Sequence, residues 1–410
     1  MNVTEGFNFD EDFNNSSYAN CTNDYCMSDE DYLNMMTEHI FPTVYEWILI
    51  GMHAVVFAVG LTGNFLVCLV VHRNPAMRTV TNYFIVNLAV ADFLVILICL
   101  PPTLIWDTTE TWFLGHVLCK LVLYLQTVSV AVSVLTLTFI SLDRWYAICF
   151  PLKFKSTTSR AKTAILIIWI IALLYDIPEL ITLRTASRKK FHVETVLFTQ
   201  CIASWDDVAE RHYTTSKIVF LYLLPLTITS AAYFQIVRVL WKSDNIPGHR
   251  YQREVCYISG SSVDSRRYMA VSRGPTSGGT QAQIRSRRKA AKMLVCVVLM
   301  FALCYFPVHL LSILRYTVDI PQNDITVALA MLSHWLCYAN SATNPLIYNF
   351  MSGKYRKEFR KTLTCCFVTK TDRVCARSEL ACRDCRLTQI TSARTEIAHF
   401  GPTTTNFDMD

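Results

Sequence analysis

Apolar residues along the chain gather into seven blocks, near 46–71, 83–105, 117–142, 163–183, 216–240, 293–314 and 325–349. A helix of about 20 residues, at 1.5 Å per residue, crosses about 30 Å of hydrocarbon, and each block is long enough to do so. Inside lipid the backbone must satisfy its own hydrogen bonds, and a helix does this within one segment. The pattern therefore predicts seven membrane-spanning helices, an all-α membrane bundle over 45–352. The seventh block is the least apolar, because His334, Asn340, Ser341 and Asn344 interrupt it.

The connections have patterns of their own. Between spans four and five, residues 184–212 include "FHVETVLFTQCIASW", whose Val, Phe and Thr content predicts a β-hairpin over the bundle. After span seven, "SGKYRKEFRKTL" alternates basic and apolar residues at helical spacing. That predicts an eighth, amphipathic helix at 353–364 along the membrane surface. Residues 243–285 are rich in Gly, Ser and Arg and read as a flexible loop. The polar tails are 1–44, read as unstructured until bound, and 365–410. No internal repeat is visible, which argues against transporters built from repeated halves.

Composition agrees with a membrane protein. Charged residues make up 17% of the chain and mean hydropathy is +0.29, whereas soluble domains carry roughly 25% charged residues. Charge also sets orientation. The first 45 residues hold nine Asp or Glu and no Lys or Arg, while 238–292 holds twelve basic residues against three acidic. The positive-inside rule places the N-terminus outside and the C-terminus inside, with "RTASRKK" (Arg184 to Lys190) as the one dissenting loop. Asn2, Asn14, Asn15 and Asn20 begin acceptor triplets for N-glycosylation in the outer tail. The start lacks a cleavable signal pattern, so the first span is expected to direct insertion.

Cysteines divide by side. Cys119 and Cys201 both face the oxidising compartment and are the best disulfide candidates. Cys21 and Cys26 are either a small second bridge or free. Cys365 and Cys366, following a basic amphipathic stretch, read as palmitoylation sites. Cys375, Cys382 and Cys385 have poor zinc spacing and lack a fourth ligand.

Polar groups within the spans cost roughly 2.5–3.5 kcal/mol for a charge at the helix centre, so each one asks for a role. Asp92 lies in mid-span two; Asn64, Ser133, Asn340, Ser341 and Asn344 lie on spans one, three and seven. Two readings stand for this set: coordination of a small hard cation such as sodium, or a hydrogen-bonded network holding helices together. Pro102, Pro178, Pro225, Pro307 and Pro345 permit kinks, read either as pivots or as tolerated irregularity. Arg144 follows Cys119 by 25 residues, about 37 Å of helix, which puts Asp143 and Arg144 at the inner face. No catalytic nucleophile, metal cluster or phosphate-cradling loop accompanies them, so no enzyme is expected, and no nucleic-acid partner.

The motifs "GN" (Gly63, Asn64), "LAVAD" (Asp92), "DRW" (Asp143 to Trp145), Trp169, Pro225, "CYFP" (Cys304 to Pro307) and "NPLIY" (Asn344 to Tyr348) occur in order, one set per span. Over about 45–365 the chain resembles the rhodopsin-like (class A) G-protein-coupled receptors. DRW in place of DRY, and Tyr305 where a Trp is usual, resemble orexin receptors and, more closely, insect allatotropin receptors. So do "PPTLIWDTTETWFLGHVLCK", "AYFQIVRVLW" and "NPLIYNFMSGKYRKEF".

The resemblance implies a neuropeptide ligand at Thr103, Asp107, Gln126, Glu179, Tyr213, Lys217, Tyr222, His334 and Tyr338. Gln126 stands where amine receptors carry an Asp, and an amide suits a peptide backbone or amidated C-terminus. Asp107 and Glu179 suit a basic peptide residue or the basic outer loop. Lys217 and Ser312 depart from the vertebrate pattern. The resemblance also implies activation through Asp143, Arg144, Trp145, Tyr305, Pro307, Asn344, Pro345 and Tyr348, with Arg144 released toward a heterotrimeric G protein, by family expectation of the Gq class. Arg287 stands where many relatives have a restraining Glu, which predicts appreciable basal activity. Thr388, Thr391 and Ser392 are expected sites for receptor kinases and arrestin. A channel or transporter is the rival class, and an orexin-like peptide the rival ligand.

Overall fold

A computed structural model describes residues 27–150, 157–187, 193–242, 277–318 and 324–367. Asn2, Asn14, Asn15, Asn20, Cys21, Cys26, Thr388, Thr391 and Ser392 lie outside these residues. The side chains of Arg287, Cys365 and Cys366 are likewise outside what is described.

Seven long helices carry the apolar blocks: spans one (Val44–Arg73), two (Val80–Thr109), three (Gly115–Cys149), four (Thr158–Thr182), five (Asp207–Val239), six (Ser277–Thr317) and seven (Asp324–Met351). All extend beyond the apolar windows at one or both ends, where polar residues outside the hydrocarbon continue the helix. The starts of spans one, two, four and five are capped by side chains that satisfy orphan N–H groups. At span one, Glu46 Oε2 accepts from the Thr43 N–H at 2.6 Å in a capping box. Thr79, Thr157 and Asp206 accept from backbone N–H groups at the starts of spans two, four and five.

Among the described residues six helices are apolar and long enough to cross a membrane. The seventh falls short because of its polar positions, yet it packs against spans one and six. Span three is the central helix, touching spans two, four, five and six. Span four turns Leu166, Ile167, Ile170, Ile171, Leu173 and Leu174 outward. In water such a face would exceed the patch sizes of ordinary monomers; in lipid it meets its own solvent.

The prolines shape the spans in three ways. In spans two and five a wider π-helical turn (Val95–Cys99, Val219–Leu223) precedes Pro102 and Pro225. A proline ring clashes with the carbonyl four residues back, and the extra residue in a π turn relieves this. Span four breaks at Asp176 into Thr158–Tyr175 and Ile177–Thr182, with Pro178 in the first turn after the break. Pro307 and Pro345 stay inside spans six and seven.

Strands β1 (Leu183–Ser187) and β2 (Thr199–Ala203) pair antiparallel, with Thr185 opposite Cys201. Cys201 is bonded to Cys119 at the start of span three. Around this disulfide a core gathers Trp112, Val122, Leu183, Tyr338 and Ala339.

The tail 1–44 is not wholly without structure, contrary to its polar composition. Asp29–His39 is a helix capped by Ser28, with Asp29, Glu30 and Asp31 in the first turn, where the helix dipole favours acids. Tyr32 and Met36, one turn apart, form its buried face. At the other end, the helix Gly353–Phe367 runs three residues past the expected limit at 364. Within the bundle unit, Met1–Arg356, the Tyr355 ring lies 5.6 Å from that of Tyr348.

Candidate functional site

Polar side chains meet at three levels of the bundle. In its middle, Asp92 is fully buried and accepts three side-chain hydrogen bonds. Its Oδ1 accepts from Ser341 Oγ (2.8 Å) and Ser133 Oγ (3.5 Å), its Oδ2 from Asn344 Nδ2 (2.8 Å). Asn64 Nδ2 donates to the Ser341 carbonyl at 3.0 Å. That reach depends on close packing of spans one and seven. A Cβ at Gly63 would lie 2.8 Å from Pro345 Cβ, so glycine is required there.

The oxygens Asn64 Oδ1, Asn340 Oδ1 and Asn344 Oδ1 are buried without a donor. A carbonyl oxygen only accepts, so it needs a donor or a cation. One carboxylate beside orphan amide oxygens fits a small hard cation. The hydrogen-bonded network itself is present, joining spans one, two, three and seven. Nearby, Asn87 joins three helices: its Nδ2 donates to Thr136 Oγ1 (2.8 Å), and its Oδ1 accepts from Trp169 Nε1 (2.9 Å).

At the Cys119 end, the sequence-predicted ligand residues fall into separate groups. Thr103 Oγ1 and Tyr338 Oη share a hydrogen bond of 2.6 Å. His334 Nδ1 lies 2.8 Å from Asp107 Oδ2, pairing spans two and seven. Lys217 Nζ sits 3.3 Å from Glu179 Oε1 and 4.7 Å from the Tyr213 ring centroid. Thr127 donates to Glu179 Oε2 at 2.9 Å. Asp107 and Glu179 are thus each paired with residues of other spans, partners other than the outer loop. Tyr222 stands deeper, donating to the Ala302 carbonyl at 2.8 Å. Gln126 Oε1 is buried with no hydrogen-bond partner.

Two residues not singled out in the sequence belong to this end. Asp176 is fully buried and accepts from Tyr213 Oη at 3.4 Å. An ionisable residue inside an apolar run, "LLYDIPEL", is its signal, by the same rule that marks Asp92. His309 lies between Tyr222 and Tyr305, its ring 4.6 Å from the first and 6.2 Å from the second. Tyr305 is buried against Phe301, with ring centroids 4.7 Å apart.

At the opposite end, Arg144 is bound to its neighbour Asp143 by two N–H donors, Nε at 3.1 Å and Nη2. Trp145 donates through Nε1 to Gln235 Oε1 at 2.8 Å, tying span three to span five. Its ring also packs on Tyr146 and Phe150, at 4.6 and 5.2 Å. Among the described residues no three His, Cys, Asp or Glu cluster as a metal site.

A disulfide at one end, a buried carboxylate in mid-bundle and an Asp–Arg pair at the other end, on seven packed helices, have a counterpart among known proteins. The family model of the 7 transmembrane receptor (rhodopsin family) matches residues 63–348. The chain belongs to the rhodopsin family of seven-transmembrane receptors. It is therefore a multi-pass membrane receptor, and not an enzyme. A QRFP-like peptide receptor of Branchiostoma floridae is 30% identical over 318 residues, 76% of each chain. Galanin receptor 2a of Danio rerio is 31% identical over 335 residues, 80% of this chain and 82% of its own.

Proposed function

We propose that this receptor is activated by an amidated neuropeptide of the allatotropin kind. The peptide enters at the Cys119 end, and the signal passes at the Arg144 end to a heterotrimeric G protein of the Gq–calcium class. The observation carrying this reading is Gln126, whose buried side-chain oxygen lacks a donor. A peptide N–H or a terminal amide supplies one, whereas an amine ligand would call for a carboxylate there. The names of the two relatives, a QRFP-like peptide receptor and a galanin receptor, also favour a peptide. An orexin-like peptide is the second reading, carried by the DRW and Tyr305 variants.

The test is a calcium and cyclic-AMP readout in cells expressing the chain, challenged with amidated peptides of allatotropin, orexin, QRFP and galanin type. Gln126→Leu is expected to raise the half-maximal concentration of the active peptide about tenfold or more, the cost of one unmade buried hydrogen bond. Unchanged potency in Gln126→Leu would remove Gln126 from the peptide site.

The same reading puts the N-terminus outside the plasma membrane and the C-terminus in the cytoplasm. Asn2, Asn14, Asn15 and Asn20 are then glycosylation sites, Cys365 and Cys366 palmitoylation sites, and the tail a substrate for kinases and a ligand for arrestin. Asp92, Ser133, Asn340, Ser341 and Asn344 hold a sodium ion in the resting receptor.

Basal activity depends on how span three is held. The Trp145–Gln235 hydrogen bond is a tie at the end where Arg144 must move. Trp145→Phe keeps an aromatic ring and loses the donor. One hydrogen bond is worth about 0.5–1.5 kcal/mol. Nucleotide exchange without peptide should therefore rise about two- to tenfold; an unchanged basal rate would mean the tie does not restrain activation.

A further inference from the structure

Near the Cys119 ends of spans three, four and five, two carboxylates feel the charge of one ammonium, and only Glu179 is paired with it. Glu179 is satisfied on both oxygens, by Lys217 and Thr127. Asp176, four residues past Ala172 at the break in span four, is not. Its Oδ1 receives a long 3.4 Å hydrogen bond from Tyr213, and its Oδ2 is buried without any partner. A proton on Asp176 would not complete the site, because an Oδ2–H also lacks an acceptor. Leaving a buried carboxylate oxygen unpaired is costly.

The surroundings suit a cation. Lys217 lies over the Tyr213 ring, and that ring has Trp205 at 4.8 Å and Tyr175 at 6.5 Å. Aromatic faces attract cations and exclude water. Glu179 and Lys217 side chains keep 14% and 24% exposure, so they form the mouth, with Asp176 behind them. Asp107, another acid at this end, already has His334.

We propose that Asp176, Glu179, Lys217 and Tyr213 form a subsite for one monocation, the guanidinium or ammonium group of a basic residue in the activating peptide. This rests on the peptide-receptor reading given above. The incoming cation takes Glu179, and Lys217 turns to Asp176, so that two carboxylates end paired with two cations. A guanidinium, with its planar fork of donors, suits this exchange best. Asp176 is then a specificity-determining residue that acts through Lys217.

The test uses the purified full-length receptor in nanodiscs, with Nα-acetyl-arginine amide (below, arginine amide) as probe and Nα-acetyl-citrulline amide (below, citrulline amide) as its neutral isostere. Thermal stability is read as each is titrated. Arginine amide should stabilise the wild type and citrulline amide should not. Asp176→Asn should raise the half-maximal arginine amide concentration about tenfold, and Lys217→Met, which frees both carboxylates, should lower it about tenfold. Should Asp176→Asn fail to fold, the Lys217→Met shift decides alone. Equal effects of the two probes on the wild type, or a folded variant without its shift, would overturn the subsite. Peptide-driven nucleotide exchange is measured on the same preparations. Activation by a peptide without arginine selectivity overturns the subsite alone; arginine selectivity without activation by any peptide overturns the peptide reading alone.

Discussion

Replacing Cys201 with serine is expected to abolish peptide activation and to remove most receptor from the cell surface. The bond joins β2 to the start of span three, with Cα atoms 5.6 Å apart and 82 residues between the partners in sequence. In the chain-entropy account, a loop of that length stabilises the folded state by about 4.5 kcal/mol when closed, a large share of the roughly 5–15 kcal/mol typical of a domain. The local structure depends on the bond as well. Trp112, only 1% exposed, donates its backbone N–H to the Thr199 carbonyl at 2.7 Å. Trp106 Nε1 donates to Gln200 Oε1 at 3.1 Å. Loss of the bond frees β2, and its contacts with Trp112 and Trp106 go with it. Cys119→Ser should match Cys201→Ser, and the double variant should be no worse than either single one. Surface labelling with the calcium readout checks this; a full response in either single variant would contradict it.

Asp92→Ala should produce the second large effect. The substitution leaves Ser341 Oγ and Asn344 Nδ2 as buried donors without their acceptor. Such loss costs about 1–3 kcal/mol for an unsatisfied buried group, so the melting temperature in nanodiscs should fall. Asp92→Asn separates structure from ion binding, because an amide keeps one acceptor and loses the charge. The wild type should be stabilised by sodium relative to choline, since an ion bound by the folded state raises its stability by mass action. Asp92→Asn should retain most of its fold and lose the sodium dependence. If sodium and choline act alike on the wild type, the hydrogen-bonded network is the whole role of these residues.

Much of this is legible in the chain because lipid leaves few choices. Apolar length marks the helices, and the cost of a charge in hydrocarbon marks Asp92 by its position in the run alone. Serine and asparagine on spans one, three and seven are recognisable as partners because their spacing puts them at comparable depth. What escapes a reading of the chain depends on contacts between distant segments. Gln235 looks like one polar residue at a helix end, and only packing brings it to Trp145. Asp176 is easily passed over, although the rule that finds Asp92 applies to it. Asn87 reads as an ordinary polar residue until Trp169 and Thr136 are placed around it. The helix Asp29–His39 is hidden by tail composition, because its stability comes from the Ser28 cap and two buried side chains. The pairs Asp107–His334 and Glu179–Lys217 cannot be assigned from sequence, since either acid has several cations within reach of an unplaced loop.

The central claim is that a peptide at one end of this bundle drives a G protein at the other. Its most direct test is nucleotide exchange on a purified heterotrimeric G protein, with the receptor in nanodiscs and the amidated peptide panel added one member at a time. The expected result is exchange accelerated by at least one peptide in wild type, and no acceleration by that peptide in Arg144→Ala. A folded receptor that leaves exchange at the rate of the G protein alone with every peptide would contradict the account.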